Sequence, residues 1–172
     1  MMTRILLYAS FFLLVANSGT GQEIITNKET FQKQYNERIQ QEVLNGVYIP
    51  VDLEDAINEL ERLTDADMID KFRNAPEDTI ATKLHFSLGR WIILNWGFYE
   101  GSRLSHKLKE AGLSFPDDMA RLIIVSWHRK LNDRPLDVEN QIRVFQEKRK
   151  QEAVEREKRK QVVKTGKTGE KN

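Results

Sequence analysis

LHFSLGRWIILNWGFYEGSRLSHKLKEAGLSFPDD, residues 84–118, is the stretch of sequence that decides the fold. It holds two of the three Trp, two of the three His and four of the nine Gly, so the residues with the most specific packing and turn requirements are concentrated there. Its first half belongs to a predicted helix over about 76–96. That helix begins at Pro76, a favoured first helical residue, and ends at Gly97.

Apolar residues occupy two opposite faces of this predicted helix. One face carries Ile80, Leu84, Leu88, Trp91 and Ile92, and the opposite face carries Phe86 and Ile93. A helix that is apolar on both sides is normally enclosed by other helices rather than lying on a surface. The helix over about 76–96 is therefore predicted to be buried at the centre of the domain.

The residues before this stretch predict three further helices, the third a short one that Thr64 and Asp67 open with a capping box. Residues 22–46 are a predicted helical lead-in, in which Thr26 and Glu29 fit a capping box and Gly46 stands at the C′ position. Its apolar stripe is narrow, so this helix is expected to lie loosely on the domain or to lead into it. Asp52 is expected to cap the next helix, whose apolar positions have helical spacing.

The residues after the stretch predict a helix to about Leu131 and then a charged terminal helix. Residues 146–172 contain ten Lys or Arg and five Asp or Glu, a net +5, which leaves −4 for the rest of a chain whose net charge is +1. This pattern favours a solvated or partner-binding helix. The fold class is thus predicted as all-α: a small irregular helical bundle over 47–145 around the helix 76–96, with a long charged C-terminal helix.

The N-terminus predicts export. Arg4 supplies a positive charge, residues 5–16 are an uncharged apolar run, and small residues follow. The run is too short to cross about 30 Å of hydrocarbon, which needs roughly 20 residues. Residues 1–21 are interpreted as a secretory signal peptide, cleaved after Ser18 or Gly21. A periplasmic or secreted protein is expected, with no transmembrane span after cleavage.

The spacing of Trp, Gly and Asp in the central stretch resembles that of a known domain family. The pattern is LHFxLGxWI from Leu84, WG at Trp96, GSRL from Gly101 and PDDM from Pro116. It is similar to an uncharacterised bacterial family of small helical domains, over about 51–142. The resemblance implies a helical domain, and it carries no activity or site residues with it.

The loop 96–103, WGFYEGSR, is the strongest candidate for a binding site. Trp96, Phe98, Tyr99 and Arg103 place aromatic rings beside a guanidinium group and flexible glycines, and binding hot spots are enriched in Trp, Tyr and Arg. The alternative is that the aromatic rings close one end of the helical bundle. A protein partner is the favoured ligand, and nucleic acid is not expected because the basic tail lacks interleaved aromatic residues.

Polar residues around the same stretch support a rival interpretation, a small hydrolase or ligand-binding enzyme. The candidates are His85, Asn95, Arg103, Asp117 and Asp118. Each also has a structural explanation: His85 as a hydrogen-bonded core histidine, and Asn95 as an amide that ties a neighbouring turn. The two aspartates are expected in the first turn of a helix because of its dipole. An enzyme would require these groups to converge around one pocket.

No catalytic, metal-binding or cofactor motif is found in the sequence. His85, His106 and His128 fall on different predicted helices with different orientations, so a metal site is not predicted. There is no Gly-x-Ser-x-Gly motif, and without cysteine the chain has neither disulfides nor thiolate chemistry. The favoured function is an exported, non-enzymatic binding or interaction module, with its ligand and oligomeric state open.

Overall fold

The computed structural model describes residues 28–168, without the side chains of Ala81, His85 and residues 162–168. The predicted signal peptide and the capping residue Thr26 lie outside this range. Within it the chain forms eight α-helices and one short hairpin. They are α1 (Lys28–Arg38), β1 (Val43–Leu44), β2 (Val47–Tyr48), α2 (Leu53–Leu63), α3 (Ala66–Arg73), α4 (Glu77–Lys83), α5 (Leu88–Asn95), α6 (Arg103–Glu110), α7 (Pro116–Leu131) and α8 (Val138–Thr168). The predicted all-α class is confirmed.

The helix that the others surround is α7. Ten of its 16 residues are buried, on all sides of the helix, and α2, α3, α4, α5, α6 and α8 all pack against it. Pro116 stands in the first turn with two acidic residues, and three basic residues stand in the last turn, as the helix dipole favours. The prediction that residues 76–96 supply the central helix is therefore wrong.

Residues 76–96 do not form one continuous helix. After α4 the chain makes a 3-10 turn, Leu84–Phe86, and α5 starts only after Ser87, whose φ and ψ of −107° and −83° are not helical. Phe86, within the 3-10 turn, is 82% exposed, and Trp91, after the break, is 37% exposed. A helical wheel assumes uninterrupted rotation, and that assumption fails at Ser87.

The predicted lead-in helix ends early, because residues 43–48 form an antiparallel hairpin. Val43 pairs with Tyr48, and Leu44 pairs with Val47. Asn45 and Gly46 have φ of 51° and 79°, and positive φ at both central residues is the type I′ turn that matches the twist of a hairpin. Gly46 is thus a hairpin turn residue and not the C′ residue of a helix.

Helix α1 has no buried residue, and polar contacts attach it to the domain. The Arg38 guanidinium donates a hydrogen bond to the Gly101 carbonyl at 2.9 Å. The Tyr35 hydroxyl lies 3.0 Å from Nδ1 of His106, and the ammonium of Lys109 lies 4.9 Å from the centre of the Tyr35 ring. The Tyr35 ring covers Gly101, where a side chain would overlap it.

The last helix, α8, is 31 residues long and changes character along its length. Its first turns bury Ile142 and Phe145 in the common core. Beyond them its side chains are mostly exposed and form ion pairs along the helix, such as Lys148–Glu152 at 3.8 Å. The predicted long charged C-terminal helix is confirmed. Between Lys28 and Thr168, no helix combines the length and apolar composition that crossing a bilayer requires.

Replacing Gly101 with Ala is expected to destabilise the protein more than replacing Gly46 with Ala. Both residues have positive φ, which costs an alanine about 1–2 kcal/mol. The methyl group at Gly101 would in addition collide with the Tyr35 ring, whereas no heavy atom lies within 4 Å of the methyl position at Gly46. Urea unfolding followed by circular dichroism measures both losses. Equal losses would contradict the packing of Tyr35 on Gly101.

Candidate functional site

The structure divides the predicted binding loop between the core and the surface. Trp96 and Phe98 are 0% and 1% exposed and belong to the core. The Trp96 ring packs edge-to-face on Trp91, with 5.9 Å between ring centres. Tyr99 is 62% exposed and points to solvent. The positive φ of 63° at Gly97 allows the chain to turn between the two buried rings.

Arg103 attaches the hairpin to α6. Its Nε donates a 2.6 Å hydrogen bond to the carbonyl of Ile49, and its guanidinium lies 5.2 Å from the centre of the Tyr48 ring. Glu42 lies 3.8 Å from the same guanidinium. The Tyr48 hydroxyl donates to Asp55, which raises the pKa of that phenol. Arg103 is thus engaged in holding the fold together.

Asn95 and Asp118 also make structural contacts. The Asn95 amide donates to the Trp91 carbonyl one turn earlier, at 2.9 Å. Asp118 is buried and accepts two hydrogen bonds from Arg149, at 2.7 and 2.8 Å, which join the start of α7 to α8. The Arg149 guanidinium also lies 4.3 Å from the centre of the Phe115 ring. A bidentate pair of this kind is among the stronger polar contacts in proteins.

The histidines lie in separate surroundings. His85 lies in the 3-10 turn, and its side chain is outside the described part of the structure. His106 contacts Tyr35, as noted above. His128 is buried, and its Nε2 lies 3.1 Å and 2.9 Å from the carbonyl oxygens of Arg73 and Ala75, between α3 and α4. In the part of the chain that the structure describes, no group of three or more His, Asp or Glu residues could hold a metal ion.

The predicted polar candidates therefore do not converge on one pocket. Arg103 bonds to the hairpin, Asp118 bonds to α8, and Asn95 bonds within α5. Asp117 is exposed at the start of α7, next to Tyr99. Of the predicted site residues with described side chains, only Tyr99 and Asp117 lie together at an open surface.

These two residues belong to a larger exposed surface, the aromatic patch. It surrounds a cavity of about 300 Å³ lined by Phe86, Arg90, Ile93, Leu94, Tyr99 and Asp117. Phe86, Leu94 and Tyr99 are 82%, 56% and 62% exposed, although apolar rings and chains gain free energy by leaving water. Phe86, Arg90 and Leu94 were not predicted as site residues, because their spacing is that of a continuous buried helix.

A second concave surface, the α3–α4 groove, lies on another side of α7. It has a volume of about 470 Å³ and is mainly apolar. Its floor contains Phe72 and Trp127, whose rings stack with 4.3 Å between centres. Lys71 and Lys83 are the charged residues in its lining. Nothing in the sequence pattern indicated this groove, because it depends on the distance between two helices.

An ion pair fixes the α4 wall of the groove. Glu77, in the first turn of α4, accepts a 2.8 Å hydrogen bond from Arg129 of α7 and lies 2.7 Å from a guanidinium nitrogen of Arg134. The hydrogen bonds from Arg129 are the main reason that the pKa of Glu77 is lowered. With the two carbonyl contacts of His128, this pair positions both walls relative to α7.

Comparison with known families finds one match, in the central part of the chain. Residues 49–131 match the family model of a domain of unknown function, DUF6794. The predicted resemblance to an uncharacterised domain family is confirmed. The match covers a little under half of the chain and runs from the end of the hairpin to the end of α7. Both the aromatic patch and the α3–α4 groove are lined by residues within the matched range.

The other comparisons add no relatives. No curated protein and no solved structure matches the chain. The core extends beyond the DUF6794 match, since Leu44 precedes the matched residues and Ile142 and Phe145 follow them. The predicted domain limits, residues 47–145, stay a prediction.

Replacing Arg103 with Ala is expected to lower the free energy of unfolding by about 1.5–3 kcal/mol, the usual range for a hydrogen bond to a charged group. Tyr99→Ala and Arg90→Ala should each change it by less than about 0.5 kcal/mol, because both side chains are exposed. Urea unfolding of the three variants measures the difference. A Tyr99→Ala loss as large as that of Arg103→Ala would mean that Tyr99 packs in the core.

Proposed function

We propose that this chain is an exported, non-enzymatic binding module that contacts a protein partner through the aromatic patch. Exposed apolar residues that occur singly are normal on soluble proteins, but a contiguous set marks an interaction surface. Phe86, Leu94 and Tyr99 form such a set around one cavity. Arg90 and Asp117 lie beside them with opposite charges. This composition, an apolar centre with charged groups at its edge, is that of protein interfaces.

The energetics of the patch favour an interface. Burying a side chain the size of Phe or Leu stabilises a complex by about 1.5–3 kcal/mol relative to leaving it in water. Phe86, Leu94 and Tyr99 are partly exposed, so together they would supply less than three times that amount, before the costs of association are subtracted. Arg and Tyr are also the residue types that dominate measured interface energies.

The placement of the polar residues supports a binding module over the enzyme interpretation. A catalytic site needs its acid, base or nucleophile within hydrogen-bond reach of one another. Asn95, Arg103 and Asp118 instead bond to three different parts of the fold. Each of them would have to abandon a structural contact to take part in chemistry.

Site-directed photo-crosslinking tests the partner. The chain would carry p-benzoylphenylalanine in place of Tyr99, and in a control in place of Val144, an exposed residue on α8. Both would be incubated with an extract of the compartment to which the cells export the protein. A discrete adduct with a second protein is expected at Tyr99 and not at Val144. Leu94→Glu should reduce that adduct at least about tenfold, a loss of about 1.4 kcal/mol.

Three outcomes would contradict the proposed partner. Equal adducts from the Tyr99 and Val144 positions would indicate random collision. An adduct with twice the mass of the chain would identify a second copy as the occupant. An adduct that survives Leu94→Glu would place the contact elsewhere. Since Leu94 is exposed, that variant should fold, and circular dichroism provides the check.

Export is proposed from residues 1–21 alone, which lie outside the described structure. The positive Arg4, the apolar run over 5–16 and the small residues that follow support it. The mature protein is expected outside the cytoplasm with Gly19 or Gln22 as its first residue. Intact mass of the protein purified from each cell fraction measures this. Recovery of a chain that still begins at Met1 or Met2 in the cytoplasmic fraction would contradict export.

A further inference from the structure

We infer that the α3–α4 groove is a second site, independent of the aromatic patch, that binds a free long-chain carboxylate. The alkyl chain of this ligand lies along the apolar groove, and its carboxylate lies between Lys71 and Lys83.

The groove exists because α3 and α4 each pack on α7 but make few contacts with each other. One wall comes from the end of α2 and from α3, and the other comes from α4 and the residues up to Leu88. The side chains of α7 close the bottom. The lining consists of Thr64, Met68, Lys71, Phe72, Ala75, Thr79, Ile80, Lys83, Leu84, Ser87, Leu88 and Trp127.

The volume of the groove suits a small molecule. At about 470 Å³ it falls within the range of small-molecule pockets.

The chemistry of the lining favours an alkyl chain over an extended peptide. A peptide laid along the groove would bury backbone N–H and C=O groups, and each would need a hydrogen-bond partner. The groove offers few hydrogen-bond partners, because most of its lining is apolar. The Thr64 hydroxyl already donates to the Leu60 carbonyl at 2.7 Å. An alkyl chain has no such groups. Met68, flexible and 57% exposed at the groove, can adapt to its shape.

The charges at the groove select a carboxylate. Lys71 is on α3 and Lys83 is on α4, so the two ammonium groups belong to opposite walls. None of the lining residues is acidic. Among the described residues, no carboxylate lies within 4.0 Å of either ammonium group. A single anion between the two lysines would neutralise both positive charges beside the apolar surface. The pair is a local positive site, since residues 1–145 together carry a net negative charge.

Calorimetric titration of the full chain with dodecanoate tests the site. Dodecanoate, kept below the concentration at which it forms micelles, is expected to bind saturably with one molecule per chain. Dodecanol, with the same tail and no charge, should bind at least about tenfold more weakly, the effect of 1.4 kcal/mol of lost ionic interaction. Dodecylammonium, with the opposite charge, should bind more weakly still.

Matched charge-reversal variants distinguish binding in the groove from nonspecific electrostatic attraction of dodecanoate to the protein. The double variant Lys71→Glu with Lys83→Glu should lose at least about tenfold in dodecanoate affinity. Lys28→Glu with Lys33→Glu makes the same change in net charge on α1, away from the groove, and should leave the affinity unchanged. Thr79→Trp fills the groove and should weaken dodecanoate and dodecanol alike. Tyr99→Ala, in the aromatic patch, should have no effect.

Several results would overturn the inference. These are the absence of dodecanoate binding, binding of many molecules without saturation, equal affinity for dodecanoate and dodecanol, or equal losses in the two lysine double variants. None of them bears on the aromatic patch, so the two proposals fail separately. Because both lysine pairs are exposed, the double variants should fold, and a melting curve for each confirms that the affinities compare folded proteins.

Discussion

The structure depends on the enclosure of α7. Most of this helix is apolar and buried, so neighbours must cover it on every side, and two buried polar groups help to determine which neighbours these are. Asp118 requires Arg149 and so brings in α8. His128 requires the carbonyl oxygens between α3 and α4. A buried polar group without a partner costs about 1–3 kcal/mol, so arrangements that leave either group unpaired are disfavoured.

Two candidate surfaces share the short segment of chain between α4 and α5. Leu84, Ser87 and Leu88 line the α3–α4 groove. Phe86 and Arg90, which alternate with them along the chain, line the aromatic patch. On a helical wheel Leu84 and Leu88 lie opposite Phe86. The two surfaces are therefore close together in the sequence but are lined by different residues.

Local sequence signals, such as capping residues and apolar spacing, predicted most of the helices. The features they did not predict depend on contacts between residues far apart in the sequence. Asp52 caps its helix, as the sequence indicated. Gly46 was ambiguous, because glycine with positive φ serves both a helix end and a hairpin turn, and only pairing of the flanking residues decides between them. The break at Ser87 contains no proline. Tyr99 and Asp117 were found from composition, but the groove has no sequence signature because tertiary distance creates it.

The charged residues that looked most functional in the sequence are used to attach peripheral elements, and there is a physical reason for this. The chain has no cysteine, so it cannot cross-link its short hairpin or its long last helix. Each of these elements places few side chains in the core: Leu44 from the hairpin, and Ile142 and Phe145 from α8. A charge-assisted hydrogen bond of about 1.5–3 kcal/mol is large beside a total stability of about 5–15 kcal/mol. Arg103 and Asp118 provide such bonds. In a helical domain of this kind, exposed apolar residues are therefore better indicators of function than buried or bonded charges.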